Sequence, residues 1–259
     1  VSDIVGPDEE PIYRVGPLLS DGETNHKQAL GLSLYPEYLP VNLSLAPDRS
    51  SGYRVCRFAT EGCGGGKCTY SAGNGNQAAT RLPRIAKTRL FFRDRELFRW
   101  KLFYELEAFR ERARREGRTL VVRLNTYSDL AWETLEPDLF TEFHDARFLD
   151  YTKEYERMTS ELPPNYSLLF SRSEENDAQA RELLSRGHNV SVVFEVAPGV
   201  DLPTRWPDPE GGFEVIDGDH HDYRFLDPMP RVVGLRRKGW RLGGDTTGFV
   251  VHPESAHLG

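Results

Sequence analysis

All three cysteines of the chain fall within thirteen residues, as Cys56, Cys63 and Cys68 in a C-x6-C-x4-C spacing. Scattered cysteines would suit small buried hydrophobes, and an even number in an exported chain would suit disulfides. An odd, clustered set in a glycine-rich loop can instead turn its sulfurs toward one centre. Three thiolates can hold a [4Fe–4S] cluster with one iron left open, or three quarters of a zinc site with His220 or His221 as the fourth ligand. Neighbouring Arg54, Arg57 and Lys67 would lower the thiol pKa values and favour thiolates. One disulfide beside a free thiol is the plainer alternative. The stretch Gly62 to Cys68 lacks the Walker spacing and the Ser or Thr after its lysine, so it is not a phosphate loop.

Other chemistry-bearing residues gather just beyond the predicted strands: Asn125 to Asp129, Tyr151 to Lys153, Ser171 to Asn176 and Gly218 to Arg224. The carboxyl ends of parallel strands form the functional rim of α/β folds, because loops and helix N-termini converge there. Ser128, Asp129, Ser173 and Asn176 are also natural helix caps, yet four successive polar loops exceed what capping needs. Asn125, Asp129 and Lys153 are candidate catalytic groups, Lys153 as a Schiff-base or phosphate-binding lysine. Asp217, Asp219 and His220, with Asp222, could bind a divalent metal and serve a hydrolase or nuclease. A turn held by aspartate side chains explains Asp217 to Asp219 as simply. Arg123 points from a strand into the interior and needs a carboxylate, which Asp129, Glu133 or Asp150 could supply. Tyr70, Tyr127 and Tyr151 could stack on a nucleobase.

The elements that must position these groups alternate along the chain. Residues 1–40 read as an N-terminal arm rich in Gly, Pro and acids, with a short strand near Leu30 to Leu34. Residues 41–259 read as the core. Val41 to Leu45 alternates as a strand, and the stretch from Gly62 to Asn76 cannot be regular structure. Apolar spacing predicts one helix over Phe91 to Glu116, closed by Gly117. Strands follow at Leu120 to Leu124, Ala146 to Tyr151, Tyr166 to Phe170, Val190 to Val196, Phe213 to Asp217 and Arg231 to Leu235. Between them lie helices at Leu130 to Glu142, Lys153 to Met158 and Asp177 to Arg186. The alternation predicts βαβ units and a parallel sheet, with too few units for a closed eight-stranded barrel. The expected fold is therefore α/β, an incomplete parallel barrel of TIM type or an open sheet.

With 259 residues the chain can fill one large core, and 38% hydrophobic against 28% charged residues describes a globular protein, not a disordered one. No run of about 18 apolar residues predicts a membrane span. The acidic start, Val1 to Glu10, has neither the basic nor the apolar region of a signal peptide, so the expectation is cytoplasmic. Net charge is −7, yet Arg81 to Arg118 holds thirteen cations against six carboxylates. That segment is either a helix face of opposite-sign pairs or a surface for phosphates and nucleic acid.

The cysteine loop follows the first core strand and precedes the long helix, at the carboxyl rim. This layout resembles the radical S-adenosylmethionine superfamily over roughly Val41 to Asp227, although that superfamily spaces its cysteines more tightly on both sides. The resemblance implies a partial (β/α)6 barrel, a [4Fe–4S] cluster on Cys56, Cys63 and Cys68, and a cofactor pocket lined by Ser171, Ser173 and Asn176. The strings Arg123-Leu-Asn-Thr-Tyr-Ser-Asp-Leu-Ala-Trp-Glu133, Asp150-Tyr-Thr-Lys153, Phe170-Ser-Arg-Ser-Glu174, Gly218-Asp-His-His-Asp-Tyr-Arg-Phe225 and Gly248-Phe-Val250 resemble the phage gene product 88 family, from about Leu30 to Val251. That resemblance implies a phage or mobile-element origin and assigns no catalytic residue. Three function classes follow: an iron–sulfur enzyme of radical S-adenosylmethionine type acting on a small molecule or nucleotide, a zinc-stabilised nucleic-acid-binding protein, or a metal-dependent hydrolase.

Overall fold

The computed structural model describes residues 15–24, 26–64, 68, 77–197, 199–208, 211–238 and 244–253. Its centre is a nine-stranded open sheet in the order β1-β2-β3-β4-β5-β6-β9-β8-β7. The strands are β1 Leu19–Asp21, β2 Tyr38–Leu43, β3 Thr119–Arg123, β4 Arg147–Thr152, β5 Tyr166–Ser171, β6 Val190–Phe194, β7 Arg205–Trp206, β8 Phe213–Asp217 and β9 Val232–Arg236. From β2 to β8 in that order every neighbouring pair is parallel, while β1 and β7 lie antiparallel at the two edges. A parallel sheet leaves its functional loops on one side, so this arrangement sets where the rim residues meet.

Alternation within the strands divides the sheet into two faces. Leu39, Val41 and Leu43 of β2, Leu120 and Val122 of β3 and Phe148 of β4 enter one large core with the helical layer. Phe170 of β5, Val190, Val192 and Phe194 of β6 and Val232 of β9 form a second core with Ala180, Leu183 and Leu184. On the opposite face Val121 and Leu149 pack against Tyr223, with Tyr35, Tyr38 and Phe225 around it. Burial on both faces explains why these strands read as nearly continuous apolar runs.

The helices are α1 His26–Leu34, α2 Ala78–Arg93, α3 Arg95–Glu116, α4 Trp132–Leu135, α5 Pro137–Glu142, α6 Tyr155–Thr159 and α7 Asp177–Ser185. The long helix expected from Phe91 is two helices broken at Asp94, whose side chain accepts a hydrogen bond from Leu97 N at 2.9 Å. That cap satisfies an orphan amide at the start of α3 and competes with helix continuation. Phe98, Leu102 and Leu106 then form the buried stripe of α3, and Gly117 ends it with φ 63°. The helix expected over Leu130 to Glu142 is also split, because Pro137 cannot continue α4 but suits the first turn of α5.

The strand expected at Leu30 to Leu34 is wrong: these residues end α1. A short apolar run fits either period, and here Gly31 sits against His221 Cβ while Leu30 and Leu34 face outward. The arm supplies its strand earlier, with Leu19 paired to Leu43 in β1 and β2. The short edge strand β7 had no signal in the periodicity.

Candidate functional site

A cavity of about 540 Å³ opens at the carboxyl rim. Its wall runs from Pro47 and Asp48 beyond β2 through Asn125 to Asp129 beyond β3, Tyr151 to Lys153 at β4 and Ser171 at β5. Val193 of β6, Leu235 to Lys238 around the end of β9, and the segment from Gly244 to Val250 complete it. Cys56, Cys63 and Cys68 all line this one cavity. The topology thus unites three cysteines with residues of all four polar loops, Asp222 coming from the fourth.

The cysteine loop is anchored on several sides. Cys56 bridges to Asp129, whose amide donates to Val55 O at 2.9 Å, and Cys56 Sγ donates to Tyr127 O at 3.5 Å. Cys63 Sγ accepts from Thr60 N at 3.4 Å and lies 3.6 Å from Thr60 Oγ1. Glu174, in the loop after β5, accepts from Gly62 N at 2.7 Å and from Thr60 Oγ1 at 2.9 Å. Gly62 is pressed so closely that a Cβ there would stand 2.2 Å from Phe249 Cβ. The C-terminal segment is held in turn by Arg172 Nη1, which donates to Gly248 O at 2.6 Å and Phe249 O at 2.9 Å, and by a bridge between Val251 and Phe194. It forms a strap along one wall of the cavity.

Burial pushes the Cys56 thiol up to about 12, with Asp129 and Cys68 adding to the rise; a backbone hydrogen bond from Asp48 and the charge of Lys153 oppose it. The expected lowering by nearby cations therefore fails at Cys56. Arg54 instead ties down the backbone, donating to Cys56 O at 3.3 Å and Arg57 O at 2.7 Å. Lys67 and Tyr70 lie outside the described residues, as do 65–66 and 69–76. Among the described residues no three His, Cys, Asp or Glu side chains are grouped to hold a metal ion. His220 is 71% exposed beside Asp217, and His221 packs edge-on to Tyr35 and lies 3.7 Å from Asp227. Neither lines the cavity.

Asn125 shapes the rim beneath the cavity. Its Oδ1 accepts from Ser128 Oγ at 2.8 Å, Leu130 N at 3.0 Å and Trp132 Nε1 at 3.2 Å, and its amide donates to Asp150 Oδ1 at 2.6 Å. Asp129 accepts from Lys153 N at 2.9 Å through Oδ2 and from Arg157 Nη1 at 2.9 Å through Oδ1. Arg157 also holds Glu133 in a fork, at 2.6 and 2.9 Å. Sequence reasoning missed Arg157, because it gave Asp129 and Glu133 to Arg123. Arg123 pairs with Asp222 instead, at 3.3 Å, and lies over the Tyr151 ring at 4.6 Å. An acidic pair four residues apart beyond β3 was the available signal for a second buried cation.

Lys153 and Ser171 line the cavity and meet at 3.4 Å. Ser173 and Asn176 do not line it: Asn176 Oδ1 accepts from Ser173 N at 2.6 Å and Asn176 Nδ2 donates to Ser171 O at 3.1 Å, which closes the loop. Asp217 and Asp219 sit off the cavity around Arg236, at 2.8 and 3.5 Å. Burial opposes ionisation of Asp217, but the Asp219 amide and Arg236 hold its pKa below the usual value. These residues form an ion-paired turn, with His220 at its exposed edge. In the basic segment, Arg95, Arg99, Lys101, Arg110, Arg112, Arg114 and Arg118 all pair with carboxylates, several of them on Asp21, Glu23, Glu136 and Asp145. The local positive charge is thus largely neutralised in place. Among the described residues no helix is long and apolar enough to cross a membrane.

Fold and cavity together define a mixed α/β protein with a mostly parallel open sheet and a cysteine-lined cavity at its carboxyl ends. The chain belongs to the gene product 88 family, whose model matches residues 17–253, in keeping with its resemblance to that phage family. Searches of curated proteins and of solved structures found no match. The comparisons lend no support to the resemblance to the radical S-adenosylmethionine superfamily.

Proposed function

We propose that this chain is an iron–sulfur enzyme resembling the radical S-adenosylmethionine type, built on an incomplete (β/α)6 barrel, with Cys56, Cys63 and Cys68 as the ligands of a [4Fe–4S] cluster. The observation that carries the reading is that all three cysteines line one cavity at the carboxyl rim. A zinc site gathers four ligands in one tight sphere. Among the described residues no three such ligands are gathered, which bears on a zinc site and on a cluster alike. A [4Fe–4S] cluster would take three thiolates, and Cys56, Cys63 and Cys68 on the one cavity would supply them.

When bound, such a cluster would supply one-electron chemistry at an iron left open by three-thiolate ligation. The chain's own residues do the rest. Cys56 must release its proton on ligation, which breaks its hydrogen bond to Tyr127 O. Glu174 and the strap from Gly244 to Val250 hold the loop and exclude water. Lys153 and Ser171 face the space that a small-molecule or nucleotide substrate would fill, and S-adenosylmethionine would enter the same cavity. Asn125 and Asp129 orient the rim. The test is S-adenosylmethionine cleavage by the reduced, iron-loaded protein beside the Cys56→Ala/Cys63→Ala/Cys68→Ala variant. Turnover by the first and none by the second supports the reading, and no turnover by loaded protein removes the cofactor from it.

A further inference from the structure

The cavity wall carries five cations, Arg123, Lys153, Arg236, Arg237 and Lys238, against four carboxylates, Asp48, Asp129, Asp222 and Asp245. Four of the five cations are already engaged. Arg123 pairs with Asp222, Arg236 with Asp217 and Asp219, Arg237 with Glu195 at 2.9 Å and Lys238 with Asp219 at 3.6 Å. Lys153 has no carboxylate at ion-pair distance among the described residues. Its ammonium donates to the neutral Ser171 hydroxyl at 3.4 Å and lies 5.7 Å from the Phe249 ring centre. An ammonium has three donors, so two remain for a ligand. Two further cavity residues hold buried donors with no hydrogen-bond partner, Arg123 Nε and Thr126 Oγ1. Those two atoms are closed off from solvent, so the ammonium of Lys153 is the donor group presented to a guest.

We infer that the cavity takes an anionic small molecule, bearing a carboxylate or phosphate group, seated on the ammonium of Lys153. The inference rests on the proposed function only in taking this cavity as the working site. It names the class of substrate that the site would select. Lys153 is then a binding residue for the oxyanion, and no bond is made or broken at it.

The experiment measures the rate of Lys153 acetylation by mass spectrometry, with the full chain in inorganic pyrophosphate, in citrate and in chloride of matched ionic strength. Lys101 on α3, which does not line the cavity, serves as the internal reference. Pyrophosphate or citrate is expected to slow acetylation of Lys153 selectively, by about tenfold at saturation. Protection by pyrophosphate alone assigns a phosphate, and protection by citrate alone a carboxylate. Calorimetric titration of the protecting anion should weaken about tenfold or more in Lys153→Met and recover to within about threefold in Lys153→Arg. Circular dichroism melting establishes that both variants fold. Equal protection in chloride, or unchanged binding by Lys153→Met, overturns the inference. The same titration on the triple cysteine variant separates the two readings: retained anion binding without iron leaves this site standing whatever becomes of the cluster.

Discussion

Glu174 and Gly62 are 112 residues apart, yet the Glu174 carboxylate accepts the Gly62 amide at 2.7 Å and so fixes the cysteine loop to the end of β5. The second carboxylate oxygen takes the Thr60 hydroxyl, and the Thr60 amide in turn donates to Cys63 Sγ. One side chain therefore sets the position of a proposed ligand. Glu174→Ala should leave the sheet folded and raise amide exchange in residues 60–63, with iron retention after anaerobic loading falling to a minor fraction of wild type. Unchanged exchange and loading would show that the loop is held elsewhere.

Gly62→Ala tests the other side of the same loop. The new methyl would meet Phe249 Cβ, Thr247 Oγ1 and Glu174 Oε2 at 2.2, 2.6 and 2.9 Å, all far inside contact distance. The strap must move away, because the loop is fixed by its backbone. Limited proteolysis should cut near residues 244–250 faster in the variant, while the far edge at β1 keeps its protection.

Arg157 is buried with Asp129, Glu133, Thr152 and Tyr166 around it. Arg157→Leu leaves two carboxylates with little water and no cation, and should cost about 3–5 kcal/mol in denaturant unfolding. Adding Glu133→Gln should recover part of the loss, since one of the stranded charges is then removed.

Burial pushes the Asp150 carboxyl up to about 7, against the Asn125 amide, the Tyr166 hydroxyl and the charges of Arg123 and Arg157. The folded chain therefore keeps a proton that the unfolded chain, with an ordinary value of 3.8, gives up. Asp150 contributes stability in full at low pH and loses it progressively as pH rises from about 4 to about 7, by an amount on the order of a few kcal/mol. Above about 7 the contribution is flat. Asp150→Asn should remove this slope from the pH dependence of unfolding, and it should also lower stability, because an amide NH2 meets neighbours that are themselves donors.

Much of this was written in local pattern. The strands from Leu120 to Leu235 and the stop at Gly117 follow from apolar runs and a left-handed cap, signals that need no tertiary partner. The errors occur where two local readings compete. Leu30 to Leu34 suits either period, and Asp94 caps a new helix inside what reads as one continuous amphipathic run. The convergence of cysteines and rim was legible because strand order in a parallel sheet places every following loop on the same side. What sequence could not provide was the pairing of distant charges: Arg123 with Asp222, Arg157 with Asp129 and Glu133, and Glu174 with the Gly62 amide each depend on folds of the chain that carry no local mark. Ser173 and Asn176 illustrate the reverse case, since their composition suits a pocket and their geometry closes a loop.

The most direct test of the cluster reading is iron, zinc and acid-labile sulfide per chain, on protein expressed with iron and purified without oxygen, beside the triple Cys56/Cys63/Cys68→Ala variant. The account predicts about four irons and four sulfides per chain, absent from the variant. One zinc without sulfide, or no metal in wild-type protein so prepared, would contradict it.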